Sequence, residues 1–240
     1  MARRTRRNDE LRPLFLGPGF MKNAQGSCFV KMGDTHVICT ATVDEKVPSF
    51  LRNTGKGWIT AEYGMLPGCS NERIEREAVK GKQSGRTQEI QRLIGRALRA
   101  AVDLETLGER QIKIDCDVIQ ADGGTRTASI TGGFIALSQA LQKLQARRKI
   151  SQNPILCNVA AISCGVVDGV PLLDLEYLED SQADVDANFV LDHQGNLIEV
   201  QMTSEKKPVP RKILDQLTDL ATKGIQDIFA AQKDIFPNFA

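Results

Sequence analysis

The fold is decided by residues 111–127, QIKIDCDVIQADGGTRT. Apolar and polar side chains alternate along the first part of this stretch, which is the period of a half-buried β-strand. The Gly123-Gly124 pair then predicts a tight turn, and residues 128–144 carry apolar side chains at helical spacing. The stretch therefore predicts a strand, a glycine-rich turn and a helix in direct succession.

Both flanks of this unit predict further hairpins and amphipathic helices. We expect hairpins at residues 27–43, 158–175 and 188–201, with a strand at residues 58–63 extending the first. We expect helices at residues 87–102, with Thr87 as the N-cap, and at residues 213–229. No linker rich in Pro, Gly and Ser divides the chain. The prediction is one α+β domain over residues 1–240, with β-sheets packed against amphipathic helices.

Composition bounds the class of protein. The 240 residues are 41% hydrophobic and 25% charged, with a formal net charge of +1, which suits a chain with a buried core. These values exclude a collagen, a coiled coil, a disordered tail and a disulfide miniprotein. Apolar runs fall far short of the roughly 20 residues that a membrane helix needs, so we expect a soluble protein without a membrane partner.

Cysteine and histidine usage indicates a reducing compartment. The six cysteines form no Cys-x-x-Cys pair, and the two histidines are too few to complete a zinc site. Cys28, Cys39, Cys116 and Cys164 lie in apolar, strand-like stretches, where a buried reduced thiol is expected. We therefore predict a cytoplasmic protein.

Positive charge is concentrated in three segments. The first begins the chain and follows no period, so we expect a solvated arm in preference to a nucleic-acid contact. Its arginines are Arg3, Arg4, Arg6, Arg7 and Arg12. The second, residues 71–86, lacks a hydrophobic period and predicts a mobile loop. The third is a stripe on the predicted 87–102 helix, formed by Arg92, Arg96 and Arg99, for which a solvated face and an anion or partner contact both stay open.

The glycine-rich turn is a candidate anion site. It opens a predicted helix, whose first N–H groups and dipole favour negative charge. Gly124 permits close backbone approach, Thr125 offers a hydroxyl, and Arg126 offers a bidentate fork suited to phosphate. A Walker loop is excluded because the Gly-Lys-Ser/Thr ending is missing. An ordinary strand-to-helix turn with a solvated arginine is the equal alternative.

Residues 176–188 form a candidate acidic site. Asp184 and Asp186 project from the same face of an extended chain, and Asp180 joins them if the chain turns between. Clustered carboxylates persist when a hard cation such as Mg²⁺ compensates them, or when one is a proton donor with a raised pKa. A solvated acidic loop is the alternative. Together with the turn and the basic loop, the cluster is typical of a phosphoryl-transfer site.

Four stretches, in this order, resemble the bacterial ribonuclease PH family. They are GWITAEYGMLP at residues 57–67, GRTQEIQRLIGRALR at 85–99, DCDVIQADGGTRT at 115–127 and DLEYLED at 174–180. The resemblance runs from about residue 8 to the C-terminal helix. Several long motifs in the same order are far more specific than any one of them.

The resemblance implies a phosphate-dependent 3′-to-5′ exoribonuclease, also called tRNA nucleotidyltransferase. Such an enzyme trims the 3′ ends of tRNA precursors, with rRNA as a further substrate, and releases nucleoside diphosphates in a reversible reaction. The implied fold is that of ribosomal protein S5 domain 2, and the implied assembly is a homohexamer built as a trimer of dimers. Orthophosphate is the implied co-substrate and Mg²⁺ the implied cofactor.

The resemblance also implies roles for individual residues. Asp180 and Asp186 form the catalytic and metal site. Orthophosphate is bound by Arg86, Gly124, Thr125 and Arg126. Arg73 and Arg76 guide RNA, and we assign RNA contact also to the stripe of Arg92, Arg96 and Arg99.

Two positions depart from the family pattern. Gly68 stands where an arginine is frequent, which removes an RNA contact, and Met202 stands where glycine is usual, which predicts a local change in a strand.

The leading rival function is that of a non-catalytic RNA-binding ring subunit of the same fold, against which the intact site residues argue. A small-molecule kinase is the second rival, and no ATP-type glycine-rich loop before a helix supports it.

Overall fold

The computed structural model describes Arg3 and residues 6–236, so Arg4 of the predicted arm lies outside the described residues. The strands are β1 (Leu14–Pro18), β2 (Gly26–Met32), β3 (Thr35–Asp44), β4 (Trp58–Met65), β5 (Gln111–Gln120), β6 (Val159–Val167), β7 (Val170–Leu173), β8 (Val185–Asp192) and β9 (Leu197–Ser204). The helices are α1 (Glu77–Lys80), α2 (Gly85–Ala100), α3 (Leu104–Leu107), α4 (Thr125–Ala146), α5 (Tyr177–Asp180) and α6 (Arg211–Ile235), with a 3₁₀ turn at Ser49–Leu51.

The first sheet has the strand order β1-β2-β3-β5-β4. Its neighbours are antiparallel except for β4, which lies parallel to β5 at one edge. The alternation seen in the sequence sets the faces, since every second residue of β3 and β5 is buried. The hairpin of β2 and β3 and the strand at 58–63 are thus confirmed, whereas β1 had no predicted counterpart.

The second sheet has the order β7-β6-β8-β9 and is antiparallel throughout. Strand β6 is buried along its whole length, because both of its faces are covered. In the register of the sheet, Asp186 of β8 lies between Gly165 of β6 and Thr203 of β9. Both predicted hairpins in this half are therefore confirmed, and β8 begins early enough to include Asp186.

Helices fill the space between the sheets and cover the outer face of the second. Helix α4 contacts β2 and β3 on one side and β6 on the other, which explains why nearly all of its residues are buried. A side chain at Gly132 would lie 2.4 Å from the Val30 side chain, so this glycine permits the close approach of α4 to the first sheet. Helix α2 packs on β4 and α4, and α6 packs on β6 and β7. The site at the N-terminus of α4 therefore lies between the two sheets.

Helix α2 begins earlier than predicted. Its N-cap is Ser84, whose side-chain oxygen accepts a hydrogen bond from the Thr87 N–H at 3.1 Å, so the assignment of Thr87 as N-cap is wrong. The preceding segment, predicted as a mobile loop, contains the short helix α1. The Ile74 N–H donates to the Pro67 carbonyl at 2.8 Å, and the Ile74 side chain packs against the hydrophobic core that the first sheet shares with α2 and α4. Helix α1 follows, beginning at Glu77.

The expected solvated arginine arm is wrong for three of its members. The side chains of Arg3, Arg6 and Arg12 are 2%, 8% and 5% exposed, respectively. They surround the fully buried Asp174 together with Glu179, and these carboxylates compensate the buried positive charge. Arg7, by contrast, is 74% exposed, as expected. A sequence without hydrophobic period is here ordered by ion pairs to residues far along the chain.

Five of the six cysteines are buried, and all six thiols are free, in line with the predicted reduced state. Strand β9 continues through Met202, which pairs with Ala187. Among the described residues, no helix is both long and apolar enough to span a bilayer.

Candidate active site

A cavity of about 1040 Å³ opens where the N-terminus of α4 faces strand β8 and helix α5. The glycine-rich turn and residues from both sheets contribute to its wall. The predicted site residues that line it are Arg73, Arg86, Gly124, Thr125, Arg126, Asp180 and Asp186. The candidate phosphate ligands and the candidate acids thus line one cavity. They are distant along the sequence, since even Arg126 and Asp180 are 54 positions apart.

The glycine-rich turn before α4 lines this cavity. Gly123 and Gly124 both have left-handed backbone conformations, with φ of 73° and 64°. A side chain at Gly123 would lie 2.4 Å from the Leu175 carbonyl oxygen, so only glycine fits there. Gly124 is the N-cap and offers no capping side chain, which leaves the first N–H groups of α4 available to an anion.

Thr125 and Arg126 are held in place by hydrogen bonds. The Thr125 hydroxyl lies 2.9 Å from the hydroxyl of the buried Tyr63. The Arg126 guanidinium donates to Gln201 Oε1 at 3.0 Å and to Glu89 Oε1 at 3.4 Å. These contacts approach Arg126 from α2 and β9, which limits its rotamers before any ligand binds.

Arg86 reaches the same cavity from the first turn of α2. The start of that helix is fixed by Glu77, whose carboxylate accepts from the Ser84 N–H at 3.0 Å and from the Thr87 hydroxyl at 2.7 Å. Arg86 also lines a second cavity of about 410 Å³, which it shares with Arg76. The two N-termini of α2 and α4 therefore present arginines and helix dipoles to a common space.

The two candidate acids approach each other from α5 and β8. Burial and the neighbouring Asp180 raise the pKa of Asp186 to about 6, against an opposing effect of Arg126. Burial also raises the pKa of Asp180, while Arg126 and Arg86 oppose the rise. A carboxyl with a pKa near neutrality can donate a proton at physiological pH.

The carboxylate pair fits a hard divalent cation as a partial ligand set. Asp180 and Asp186 supply oxygen ligands that repel each other and whose charge is stabilised when a cation binds. Mg²⁺ is commonly held by one or two carboxylates together with water and substrate phosphate. Within residues 6–236 no group of three or more His, Cys, Asp or Glu residues is arranged to hold a metal.

Asp184 lies apart from this pair. Its carboxylate is bonded to the Lys206 ammonium at 2.8 Å, and the ion pair lowers the pKa of Asp184 despite a small opposing effect of desolvation. The sequence pattern placed Asp184 and Asp186 on one face, but β8 begins only at Val185. Asp184 therefore belongs to the turn that precedes the strand.

The arginine stripe on α2 does not line the cavity within the described residues. The Arg99 guanidinium stacks over Trp58 at 4.3 Å and donates to the Ile59 carbonyl at 2.8 Å, so it packs against β4. Arg96 is paired with Glu199 at 3.0 Å but keeps 62% of its side-chain surface exposed, and Arg92 is exposed.

Among the cavity residues that were not predicted from the sequence are Ser163, Tyr177 and Asn188. Asn188 follows Asp186 by two positions on a strand and therefore shares its face, which is a signal that the sequence does contain. Ser163 lies directly opposite Asn188 across the sheet, which only the strand register reveals. Tyr177 is 55% exposed beside the turn. Gly68, which stands where the family pattern frequently has arginine, also lines the cavity.

Comparison with known proteins gives both sequence relatives and similar structures. The profile of the 3′ exoribonuclease family, domain 1, matches residues 10–141, and that of domain 2 of the same family matches residues 157–224. Ribonuclease PH of Cereibacter sphaeroides is 58% identical over 228 residues, covering 95% of this chain and 96% of that protein. Ribonuclease PH of Mesorhizobium japonicum is 57% identical over 229 residues, with the same coverage of 95% and 96%.

Solved structures agree in fold. An Archaeoglobus fulgidus exosome with RNA bound to the active site has a chain that matches with a TM-score of 0.77 at 23% identity, covering 96% of this chain and 89% of that one. An archaeal exosome core matches with a TM-score of 0.76 at 21% identity, covering 95% and 89%. The two profiles together span most of the sequence, and the bacterial relatives match over nearly their full length. This chain belongs to the 3′ exoribonuclease family, with bacterial ribonuclease PH proteins as its relatives.

Proposed function

We propose that this chain is a phosphate-dependent 3′-to-5′ exoribonuclease that releases nucleoside diphosphates from RNA. One observation carries the proposal: a phosphate cradle and an acidic pair line the same open cavity. The names of the bacterial relatives support it. The presence together of Arg86, Thr125, Arg126, Asp180 and Asp186 in that cavity argues against a non-catalytic RNA-binding subunit of the same fold.

In the proposed reaction the chain holds orthophosphate and orients it. Arg86, Arg126 and the Thr125 hydroxyl bind its oxygens together with the N–H groups that open α4. A phosphate oxygen attacks the phosphorus of the last phosphodiester and forms a P–O bond. The bond from that phosphorus to the 3′ oxygen of the preceding ribose breaks, and the terminal nucleotide leaves as a nucleoside diphosphate. The arginines stabilise charge on the phosphoryl oxygens in the transition state.

The departing 3′ oxygen takes a proton, and we assign its donor to the acidic pair. Burial raises the pKa of both members, and without a cation that of Asp186 reaches about 6, so one carboxyl of the pair can act as donor while the other stays ionised. Asp180 and Asp186 would also hold a divalent cation such as Mg²⁺, which supplies neutralisation of phosphate charge when bound. Because a phosphodiester is exchanged for a diphosphate ester, nucleoside diphosphates should extend RNA in the reverse direction.

For the substrate we propose the 3′ ends of tRNA precursors, with rRNA as a second class. Arg73 lies on the cavity wall, and Arg76 lies on the adjoining smaller cavity; both side chains are exposed and free to meet phosphates. The exposed Arg92 and Arg96 on α2 are proposed as further RNA contacts, whereas the packed Arg99 offers the least.

We further propose a cytoplasmic homohexamer arranged as a trimer of dimers. The structural likeness to archaeal exosome chains supports a ring of this fold. Each protomer is proposed to act as one domain, because α4 packs on both sheets and the cavity is lined from both.

The proposed function is tested by incubating the purified chain with a 3′-extended tRNA precursor, with and without orthophosphate. We expect nucleoside diphosphates only when orthophosphate is present. Release of monophosphates would indicate a hydrolase, a requirement for ATP would indicate a kinase, and no release would indicate a binding subunit. Each of these three results contradicts the proposal.

A further inference from the structure

Two side chains that are distant in sequence, Arg12 and Thr35, form hydrogen bonds to the backbone of the glycine-rich turn on its buried side. Arg12 donates to the carbonyl oxygens of Asp122 and, at 3.5 Å, of Gly123. On the same two residues, the Thr35 hydroxyl donates to the Gly123 carbonyl at 2.6 Å and accepts from the Asp122 N–H at 3.0 Å. Arg12 is 5% exposed and Thr35 is 0% exposed, so neither can touch a substrate in the cavity.

Arg12 also connects the turn to the segment that carries α5. Its Nε and Nη2 atoms donate to the two carboxylate oxygens of Asp174 at 3.0 and 2.7 Å, and its backbone N–H donates to the same carboxylate at 2.8 Å. Asp122 closes the connection from the other side, because its Oδ1 accepts from the Tyr177 N–H at 3.1 Å. Tyr177 is the first residue of α5, and Asp180 is its last.

We infer that Arg12 and Thr35 are positioning residues: they fix the backbone of Asp122 and Gly123 so that the N–H groups opening α4 point at phosphate and α5 is held at a fixed distance from them. The inference rests on the proposed function, since it takes the turn to be the phosphate site. It adds that the strength of phosphate binding is set from beneath the site, by side chains that contact no ligand.

The chemistry of the two side chains explains why they are hard to replace. A guanidinium is a planar fork with five N–H donors, so Arg12 can bond a carboxylate on one side and two carbonyls on another at the same time. A lysine keeps the charge opposite Asp174 but has a single donor centre and cannot span both sets of acceptors. Thr35 uses one hydroxyl as both donor and acceptor, and valine has nearly the same shape but can do neither.

The two glycines make such a lock necessary. Gly123 and Gly124 have no side chains of their own to restrict the backbone, and glycine has more accessible conformations than any other residue. Without contacts from outside, the turn would sample orientations in which the N–H groups diverge. Arg12 and Thr35 remove that freedom before phosphate arrives, which lowers the entropy cost of binding.

The test compares the wild-type chain with Arg12→Lys, Thr35→Val and the control Arg7→Ala. Arg7 lies in the same N-terminal segment but is exposed, and among the described residues its side chain pairs with the nearby Asp9 and Glu10. Three quantities are measured for each: the thermal midpoint, the Kd of inorganic phosphate by calorimetry, and kcat and KM for both phosphate and a short RNA. Arg12→Lys and Thr35→Val should each raise the phosphate Kd and KM about tenfold and leave the KM for RNA unchanged. The control Arg7→Ala should behave as the wild type in all three measurements.

The outcomes separate positioning from stability. A merely structural role would lower the thermal midpoint without changing phosphate Kd in the folded protein, and folded variants within twofold of the wild-type Kd would overturn the inference. If Arg12→Lys does not fold, Thr35→Val decides, because it changes neither charge nor shape. A wild-type chain that binds phosphate but releases no nucleoside diphosphate would contradict only the proposed function. A wild-type chain that binds no phosphate would overturn this inference.

Discussion

Arg126 is the residue whose geometry bears most directly on phosphate. Gln201 and Glu89 hold its guanidinium at 3.0 and 3.4 Å, so its fork is oriented before the ligand binds. We expect Arg126→Ala to raise the phosphate KM and to cost about 2–4 kcal/mol of transition-state stabilisation. Steady-state kinetics at varied phosphate concentration measure this. Arg110→Ala is the matched control, since Arg110 pairs with Glu45 beyond the opposite end of β5. Equal KM values in both variants would refute the assignment.

Asp186 should show opposite effects on stability and on turnover. Burial and Asp180 raise its pKa to about 6, so the folded chain binds this proton more tightly than the unfolded chain does. The free energy of unfolding therefore falls as pH rises from about 4 through about 6, and it is level above that. Asp186→Asn removes the penalty, and at pH 7.5 it should be more stable than wild type by about 1–2 kcal/mol after allowance for solvent.

Thermal melts with a chelator at pH 4 and pH 7.5 check this expectation. The gain from Asp186→Asn should be present at pH 7.5 and absent at pH 4, where the wild-type carboxyl is also neutral. The same variant should lose turnover, because an amide cannot supply the proton that a carboxylic acid does. A variant with wild-type rate, or one destabilised at pH 7.5, would show that Asp186 is a structural residue.

Single residues of the site were predictable where one segment contains the whole signal. Gly124, Thr125 and Arg126 are adjacent, and Asp186 follows from the acidic segment. Ser163 escaped prediction because it reaches the cavity through the pairing of β6 with β8, which leaves no trace in the local sequence.

Among the elements, α4 depends most on a close backbone approach. A side chain at Gly132 would meet Val30 at 2.4 Å and the Cys39 sulfur at 2.8 Å, whereas one at Gly133 would meet Ile114 at 3.2 Å. We expect Gly132→Ala to reduce the free energy of unfolding by about 1–3 kcal/mol through overpacking, and Gly133→Ala to reduce it less. Urea unfolding of both variants measures the difference. Equal stability, or the reverse order, would mean that α4 shifts without cost.

Elements with a strong period were predictable, and those defined by local capping or distant pairing were not. The strand–turn–helix unit of β5 and α4 shows both periods plainly. At α2, Ser84 and Thr87 are both acceptable caps by residue type, and only the contacts of Glu77 favour Ser84. The burial of Arg12 could not be predicted from the sequence around it, because it depends on the ion pair with Asp174, which is 162 positions away.

On the scale of the whole molecule, the exposed arginines beside the cavity should select structured RNA. We expect replacement of both Arg73 and Arg76 by alanine to lower kcat/KM for a tRNA precursor and to flatten its salt dependence, since fewer counterions are released. A short unstructured oligonucleotide should be affected little, because its 3′ end reaches the cavity without these side chains. Measurements at two salt concentrations decide this. Equal losses on both substrates would assign the arginines to catalysis or assembly.

The long-range ion pairs of the N-terminal segment have a consequence for how the protein is made. Arg12 and Asp174 are separated by 162 positions, and Arg3 and Glu179 by 176, so a ribosome must deliver three-quarters of the chain before either pair can form. Contacts this distant in sequence slow folding and form late. A nascent chain that ends before β7 would therefore contain the glycine-rich turn, Arg12 and Thr35, but not the Asp174 carboxylate that orients the Arg12 guanidinium. The growing polypeptide would then bind phosphate more weakly, and without Asp180 and Asp186 it would cleave no RNA during its own translation.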